Sequence, residues 1–386
     1  AFTTIDESYW HGCNWNWQGI KSNNLFSLTN SVIEDAGIAL QINAAFSVHS
    51  GVNIDNTIFN KNAYGILYTG ALLSSFRVTG SIFTSRDIPA ANYVYTSGSR
   101  WTSLSNFNTT ALAAYSTGYL KGSTPLNLPN TVRGQVGIYF GGASKLINGN
   151  PGGDIYVGDI STTPSLNTDY TNVFDYLRIG VYNSNSKTVL YNNYFQIISS
   201  IPSIDYYGNA SACSYNNTTP KNTLGANPTA VQGSGPYKNV FSNSTIGVYG
   251  SSNGTLSVIN NQFSDIVQYG VQIENWNASG ANTSTVEINN NSFNKCLYDL
   301  YATNNVTVKL RFYSNLSTYP FVAVKPKVTY HAYISESGNP TTAKYNLGFN
   351  NSTGKVTGIY SNYTYSPAIV NNTITVRTPI GAGFNA

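Results

Sequence analysis

Residues 52–68 read V-N-I-D-N-T-I-F-N-K-N-A-Y-G-I-L-Y. Val52 and Ile54 alternate with polar residues, Asn56 follows, Ile58 and Phe59 come next, and a second alternating run starts after Gly65 with Ile66 and Tyr68. Alternation at a period of two marks a half-buried strand, and an Asn between two such runs marks a tight bend. The stretch therefore predicts short strands joined at Asn-marked corners.

The same pattern recurs along the chain. Phe26-Leu28-Asn30-Ile33 is followed by Gly37-Ile38, and Phe76-Val78-Gly80-Phe83 repeats it with Gly in the Asn place. Thr188-Leu190-Asn192-Phe195, Leu256-Val258-Asn260-Phe263 and Val286-Ile288-Asn290-Phe293 are three further copies. Looser copies, with the aromatic one place earlier, stand at Asn172-Phe174-Gly180-Val181 and Asn239-Phe241-Gly247-Val248. Corner to corner, the spacings are 26 and 24 in the N-terminal set, 20 from Asn172 to Asn192, 21 from Asn239 to Asn260 and 30 from Asn260 to Asn290. A period in this range predicts a solenoid. Helical repeats need 3.6-residue periodicity and leucine-rich repeats a Leu frame, and neither is present. β-Branched and aromatic pieces of three to five residues, broken by Asn, Gly, Ser and Thr, predict several short strands per turn. Asn30, Asn56, Gly80, Asn192, Asn260 and Asn290 are the expected corners, where the backbone bends at positive φ.

The pattern resembles the right-handed parallel β-helix family, the superfold of pectate lyases, polygalacturonases and many secreted surface proteins. The resemblance covers residues 25–90 and 170–310 best. It implies an all-β, right-handed, single-stranded parallel β-helix with loop insertions, and the handedness also follows the rule for parallel crossovers. The expected division is a cap or first irregular coil at 1–24, then one elongated body over 25–386, irregular with insertions at 89–170 and 201–237. At ~24 residues per coil and ~4.8 Å between coils, the rod would hold roughly 15 coils and be ~70 Å long, fewer with insertions. Asp35 and Lys61 share one place in successive coils, as do Asp265 and Lys295, so each pair is expected to meet as an inter-coil ion pair.

Composition narrows the function. Only 9% of residues are charged, and 20 Lys+Arg against 16 Asp+Glu leave +4. A nucleic-acid partner would need clustered Lys and Arg, so none is expected. No apolar run reaches the ~18 residues of a membrane span. The chain lacks Met even at residue 1, which reads as a removed beginning and, with the low charge and the 30 Tyr, as a secreted or cell-surface protein. The rod is expected to continue in a larger polypeptide or assembly, or to be covered at its end by another molecule. Cys13, Cys213 and Cys296 allow one disulfide at most. His11, His49 and His331 are isolated, so no metal centre or cofactor is expected beyond a structural Ca²⁺ at a turn.

Trp10, Trp15 and Trp17 stand within W-H-G-C-N-W-N-W. They fit a cover over the open end of the rod or an aromatic platform for a sugar. Tyr139 and Tyr156, on strand-like pieces between the insertions, are the other expected binding aromatics. Several Asn-X-Ser/Thr triplets occur, among them those at Asn108, Asn209, Asn217, Asn277, Asn282 and Asn305.

Chemistry of the resembled enzymes needs gathered acids: several for a Ca²⁺-dependent lyase, two facing carboxylates for a hydrolase. No such motif falls on a repeat strand, and no catalytic residue is assigned. The densest acidic run, Asp154, Asp159, Asp169 and Asp175 with Arg178 beyond it, is where an active site would lie. The expected role is a non-catalytic extracellular rod: an adhesin, or the structural or glycan-binding part of a larger surface protein, with carbohydrate or another surface protein as partner. The alternative is a polysaccharide lyase or glycoside hydrolase on the same scaffold.

Overall fold

The computed structural model describes residues 3–13, 17–23, 26–43, 51–69, 76–118, 134–141, 155–158, 170–184, 188–198, 211–217, 221–224, 237–252, 255–274, 285–303, 309–313, 315–320, 330–335, 344–347, 359–362 and 373–377. These form an all-β body of three sheets, each with eleven strands, and every strand pairing among them is parallel. The first sheet begins with Thr3–Asp6 and Phe26–Thr29, the second with Tyr9–His11 and Val32–Glu34, and the third with Ile20–Ser22 and Ile38–Ile42. The chain visits the sheets in rotation, so that each strand lies beside the one three strands earlier. At the C-terminal end the rotation changes. After Lys344–Leu347 in the first sheet, the chain enters the third at Ile359–Asn362 before the second at Thr373–Arg377. No helix among the described residues is long and apolar enough to cross a membrane. Eleven strands at ~4.8 Å span about 50 Å of sheet, fewer than the roughly 15 expected because excursions consume chain between strands.

Register follows the sequence repeat. Leu28, Ile54, Val78, Val157 and Leu190 pair in succession in the first sheet and are fully buried, as are Val258, Ile288 and Phe312 further along. In the second sheet Phe59, Phe83, Phe174, Phe195, Phe241, Phe263 and Phe293 form one stack, with centroids 4.6–5.0 Å apart and rings within 13° of parallel. That separation is the strand spacing itself, so the backbone ladder and the ring stack share one repeat. Glycines of the third sheet make room for it. A Cβ on Gly65, Gly137, Gly247 or Gly270 would sit 2.7–2.9 Å from the ring of Phe83, Phe174, Phe263 or Phe293, respectively. Because Leu40 pairs with Ile66, Ala39 and not Gly37 is in register with Gly65.

Two bends per lap carry positive φ. Asn30, Asn56, Gly80, Asn192, Asn260 and Asn290, with φ between 50° and 58°, lie at the first. Asp35, Lys61, Tyr176, Ile197, Asn243, Asp265 and Lys295 lie at the second. Lys61 Nζ is 3.9 Å from Asp35 Oδ1 and Lys295 Nζ 3.2 Å from Asp265 Oδ1, so each pair meets across adjacent laps.

The alignment of the two looser copies is corrected by one place. Asn172 pairs with Asn193, not Asn192, and the backbone N–H of Asn193 donates to Asn239 Oδ1. These residues sit just past the first bend, in a buried ladder of Asn172, Asn193, Asn239, Asn261, Asn291 and Asn315, each accepting at Oδ1 from the Asn or Ser of the preceding lap. In the N-terminal laps the same place is held by Ser31, Thr57 and Ser81, and the N–H of Ser8 and Thr57 donate to Ser31 Oγ and Ser81 Oγ.

Candidate binding flank and the charged clamps

Alternation in the third sheet sends Ile66, Ile138, Val181, Val248 and Val271 into the core. The next residue in each strand therefore points away from it. Register then builds a row in the order Leu67, Tyr139, Tyr182, Ser214, Tyr249, Gln272, Tyr301, Tyr333, Tyr360. Tyr139 and Tyr182 stack at 4.8 Å with rings 12° apart. Tyr301 stacks on Tyr269 at 4.4 Å, and Tyr269 lies 5.4 Å from Tyr298. Rings that stack from lap to lap use their faces on one another, leaving ring edges and hydroxyls for a ligand. Gln272 Nε2 donates to Glu274 Oε1 at 2.6 Å. Burial, and then the Glu274 carboxylate, pushes the Tyr249 phenol above its ordinary range, so Tyr249 stays protonated.

Charge is nearly absent from this flank. Among the third-sheet strands the charged residues are Lys21, Arg178, Glu274 and Asp299, and of these Arg178 and Asp299 are buried. A polyanion would find one lysine; a neutral polyhydroxylated ligand would find phenols and a carboxylate.

The second sheet has a different exterior. After Thr84 the chain leaves the sheet and packs Ile88, Trp101, Phe107 and Leu112 onto the outward residues Val32, Ile58, Ile82 and Val173. This excursion, residues 85–118, includes one six-residue helix, α1 (Thr109–Ala114), N-capped by Asn108. Three clamps fasten it. Asp175, fully buried, accepts from Arg86 Nε (2.8 Å) and Nη2 (3.1 Å), Thr84 Oγ1 (2.7 Å) and Gln196 Nε2 (2.8 Å), while the Arg86 guanidinium lies 4.5 Å from the Tyr176 ring centroid. Asp55 takes both Arg100 amines at 2.6 Å, and Asn56 Oδ1 accepts from the Trp101 N–H. Glu34, 4% exposed, accepts from Tyr9, Tyr93 and Asn60 and lies 3.1 Å from Lys61 Nζ. Burial and the Glu34 charge push both the Tyr9 and Tyr93 phenols well up.

These placements separate the expected site residues. Tyr139 belongs to the third-sheet row. Tyr156 lies in the first sheet between Arg77 and Val189, so the two do not form one site. Trp10 pairs with Ile33 at the head of the phenylalanine column, is 41% exposed and stacks on Trp17 at 6.2 Å, while Trp17 Nε1 donates to the Glu34 carbonyl. Trp15 lies outside the described residues. Of the acidic run, Asp154, Asp159 and Asp169 lie outside the described residues. Asp175 is occupied by four donors, and buried Arg178 donates to Gln135 Oε1 at 3.3 Å. Among the described residues no group of three or more His, Cys, Asp and Glu side chains is arranged to hold a metal ion. Cys13 is exposed and Cys296 buried, and neither is in a disulfide.

The sequence held a signal for the row that spacing between corners did not use. Gly137-Ile138-Tyr139, Gly180-Val181-Tyr182 and Gly247-Val248-Tyr249 are one tripeptide repeated: a glycine, which at Gly137 and Gly247 leaves room for Phe, then a core residue and an outward tyrosine. No family model, curated protein or solved structure matches the chain.

Proposed function

We propose that this chain is a secreted or cell-surface rod, a right-handed single-stranded parallel β-helix, that binds a neutral glycan along its third-sheet flank without cleaving it. The observation that carries the proposal is the row Tyr139, Tyr182, Tyr249 and Tyr301, in one register across six laps with Ser214 and Gln272 between them, and nearly free of charge. Tyrosine supplies a ring edge and a hydroxyl at low cost in side-chain entropy, which suits a ligand rich in hydroxyls. Repetition from lap to lap matches a ligand that is itself a repeating chain, and weak contacts added along it act together. As an adhesin or as the binding part of a larger surface protein, the rod would present this flank to carbohydrate. The saturation of Asp175 speaks against hydrolysis or elimination at that position, since a catalytic carboxylate must be reachable by the group it serves.

The test is incubation of the chain with neutral hexasaccharides of glucose and mannose and with oligogalacturonate, following binding calorimetrically and assaying new reducing or unsaturated ends. A neutral hexasaccharide is expected to bind without cleavage, about tenfold more weakly in Tyr182→Ala and in Tyr301→Ala, a loss of ~1.4 kcal/mol each. Cleavage of any substrate would replace this function with a polysaccharide-degrading enzyme. Binding of oligogalacturonate alone would refute the neutral ligand.

A further inference from the structure

The Asn-X-Ser/Thr triplets are not equivalent once folded. Asn108-Thr109-Thr110 and Asn243-Ser244-Thr245 have exposed asparagines; Asn290-Asn291-Ser292 and Asn315-Leu316-Ser317 do not, with Asn290 and Asn315 at 3% and 1% exposure. Asn315 spends its amide inside the ladder, donating to the Ile288 carbonyl and accepting from the Asn291 N–H. Asn290 donates to Asn260 Oδ1 at 3.4 Å in the preceding lap. A sugar on either amide would have to enter the stacked bends.

At Asn108 the geometry accommodates one. Oδ1 accepts from the Ala111 N–H at 2.8 Å, capping α1, and Nδ2 donates to the Ser105 carbonyl at 3.2 Å. An N-glycosidic bond replaces one of the two N–H groups of Nδ2, so the cap and the bond to Ser105 both persist. Asn243, at a second bend with φ 48°, is exposed, and its Nδ2 lies 3.4 Å from the Ser242 hydroxyl, a contact that one remaining N–H also serves.

We propose that Asn108 and Asn243 are N-glycan acceptor sites and that Asn290 and Asn315 are not, an inference that rests on the extracellular placement above but not on the glycan-binding flank. The donor is a lipid-linked oligosaccharide. The amide nitrogen forms a bond to the anomeric carbon, the bond from that carbon to the lipid pyrophosphate breaks, the pyrophosphate leaves with the electron pair and the nitrogen loses one proton. Asn108 lies on the excursion that covers the second sheet, and Asn243 at the bend leading from the second sheet to the third. Asn108 is exposed on the cover of the second sheet, whereas the tyrosine row belongs to the third.

The test routes the full chain through the secretory pathway of a eukaryotic cell with a host signal peptide, then removes N-glycans enzymatically in H₂¹⁸O. Mass spectrometry then finds which asparagines have become ¹⁸O-labelled aspartate. Label is expected at Asn108 and Asn243 and absent at Asn290 and Asn315 in the soluble product. Thr110→Val and Thr245→Val each remove one glycan while leaving the asparagine, and the melting temperature is expected to be unchanged. No label at Asn108 or Asn243 overturns that site, and label at Asn290 or Asn315 in folded protein overturns the geometric argument. Glycan binding measured on unglycosylated chain tests the flank separately.

Discussion

Within the second sheet, the inward residue is Phe in lap after lap, whereas the outward residue changes from Val32, Ile58, Ile82 and Val173 to Gln262 and Ser292. The first four lie under the excursion at 85–118 with Tyr194 packed at its margin, and beyond it the column is mixed, with Val240 and Leu316 flanking Gln262 and Ser292. A strand buried on both faces reads as an apolar doublet, and one buried on a single face as a polar residue beside an apolar one. The interior is therefore set by stacking of laps and repeats, while the exterior is set by what lies against it. The tyrosine row sits on outward places and the phenylalanine stack on inward ones, so the binding role proposed above would use the second kind of position.

The comparison is broken most severely by emptying its cores. Phe263→Ala removes a ring from the stack and Trp101→Ala removes the centre of the cover, and each is expected to cost about 3–5 kcal/mol in chemical denaturation. The outward swaps should differ by side. Ile82→Gln, under the cover, is expected to destabilise strongly, while Gln262→Val is expected to stay within about 0.5 kcal/mol. Equal effects of the two swaps would mean that the cover does not seal the sheet.

The bends supply a second contrast. Each hydroxyl in the N-terminal laps donates one bond, as Ser31 Oγ does to the Thr29 carbonyl and Ser81 Oγ to the Thr79 carbonyl, whereas an amide donates two, as Asn261 Nδ2 does to the Ile259 carbonyl at 3.1 Å and to Asn291 Oδ1 at 3.2 Å. Asn261→Ala strands buried backbone groups and is expected to cost ~1–3 kcal/mol, more than Ser31→Ala at the N-terminal end. Denaturation midpoints of the two variants check the order.

Alkali should act on the clamp at Glu34. The Tyr9 and Tyr93 phenols titrate above their ordinary value in the folded chain, so folding keeps protons that the unfolded chain releases above pH ~10. Their contribution is fully present below pH ~10 and is lost as pH rises from there toward the folded values. Melting temperature against pH is expected to fall above that point, and less steeply in Tyr93→Phe. A slope unchanged by the substitution would remove Tyr93 from the account. The smallest effect is expected at Lys295 and Asp265, whose side chains are 50% and 42% exposed: Lys295→Ala should cost ~0–1 kcal/mol.

Much of this architecture was legible because inward positions are written locally. Leu28, Ile54 and Val78 were expected in one column, and they pair in succession. The asparagine ladder was missed by one place because the bend asparagine and the ladder asparagine are neighbours in Asn192-Asn193, Asn260-Asn261 and Asn290-Asn291, and spacing alone does not separate them. The closure of the laps across the excursion had no local signal, since Ser81 and Asn172 meet over 91 residues. The clamps were illegible for the same reason. Arg86 and Asp175 show no spacing that announces a pair, and the tyrosine row emerged only once register had aligned strands whose connections vary in length.

The central claim is that the chain resumes its lap beneath the excursion and is locked there. A double-mutant cycle on Arg86→Ala and Asp175→Ala tests it most directly, with unfolding free energies measured for the four proteins. Each single change is expected to cost about 3–5 kcal/mol by stranding a buried charge, and the double change far less than their sum. Additive losses, with no coupling between the two residues, would contradict the account.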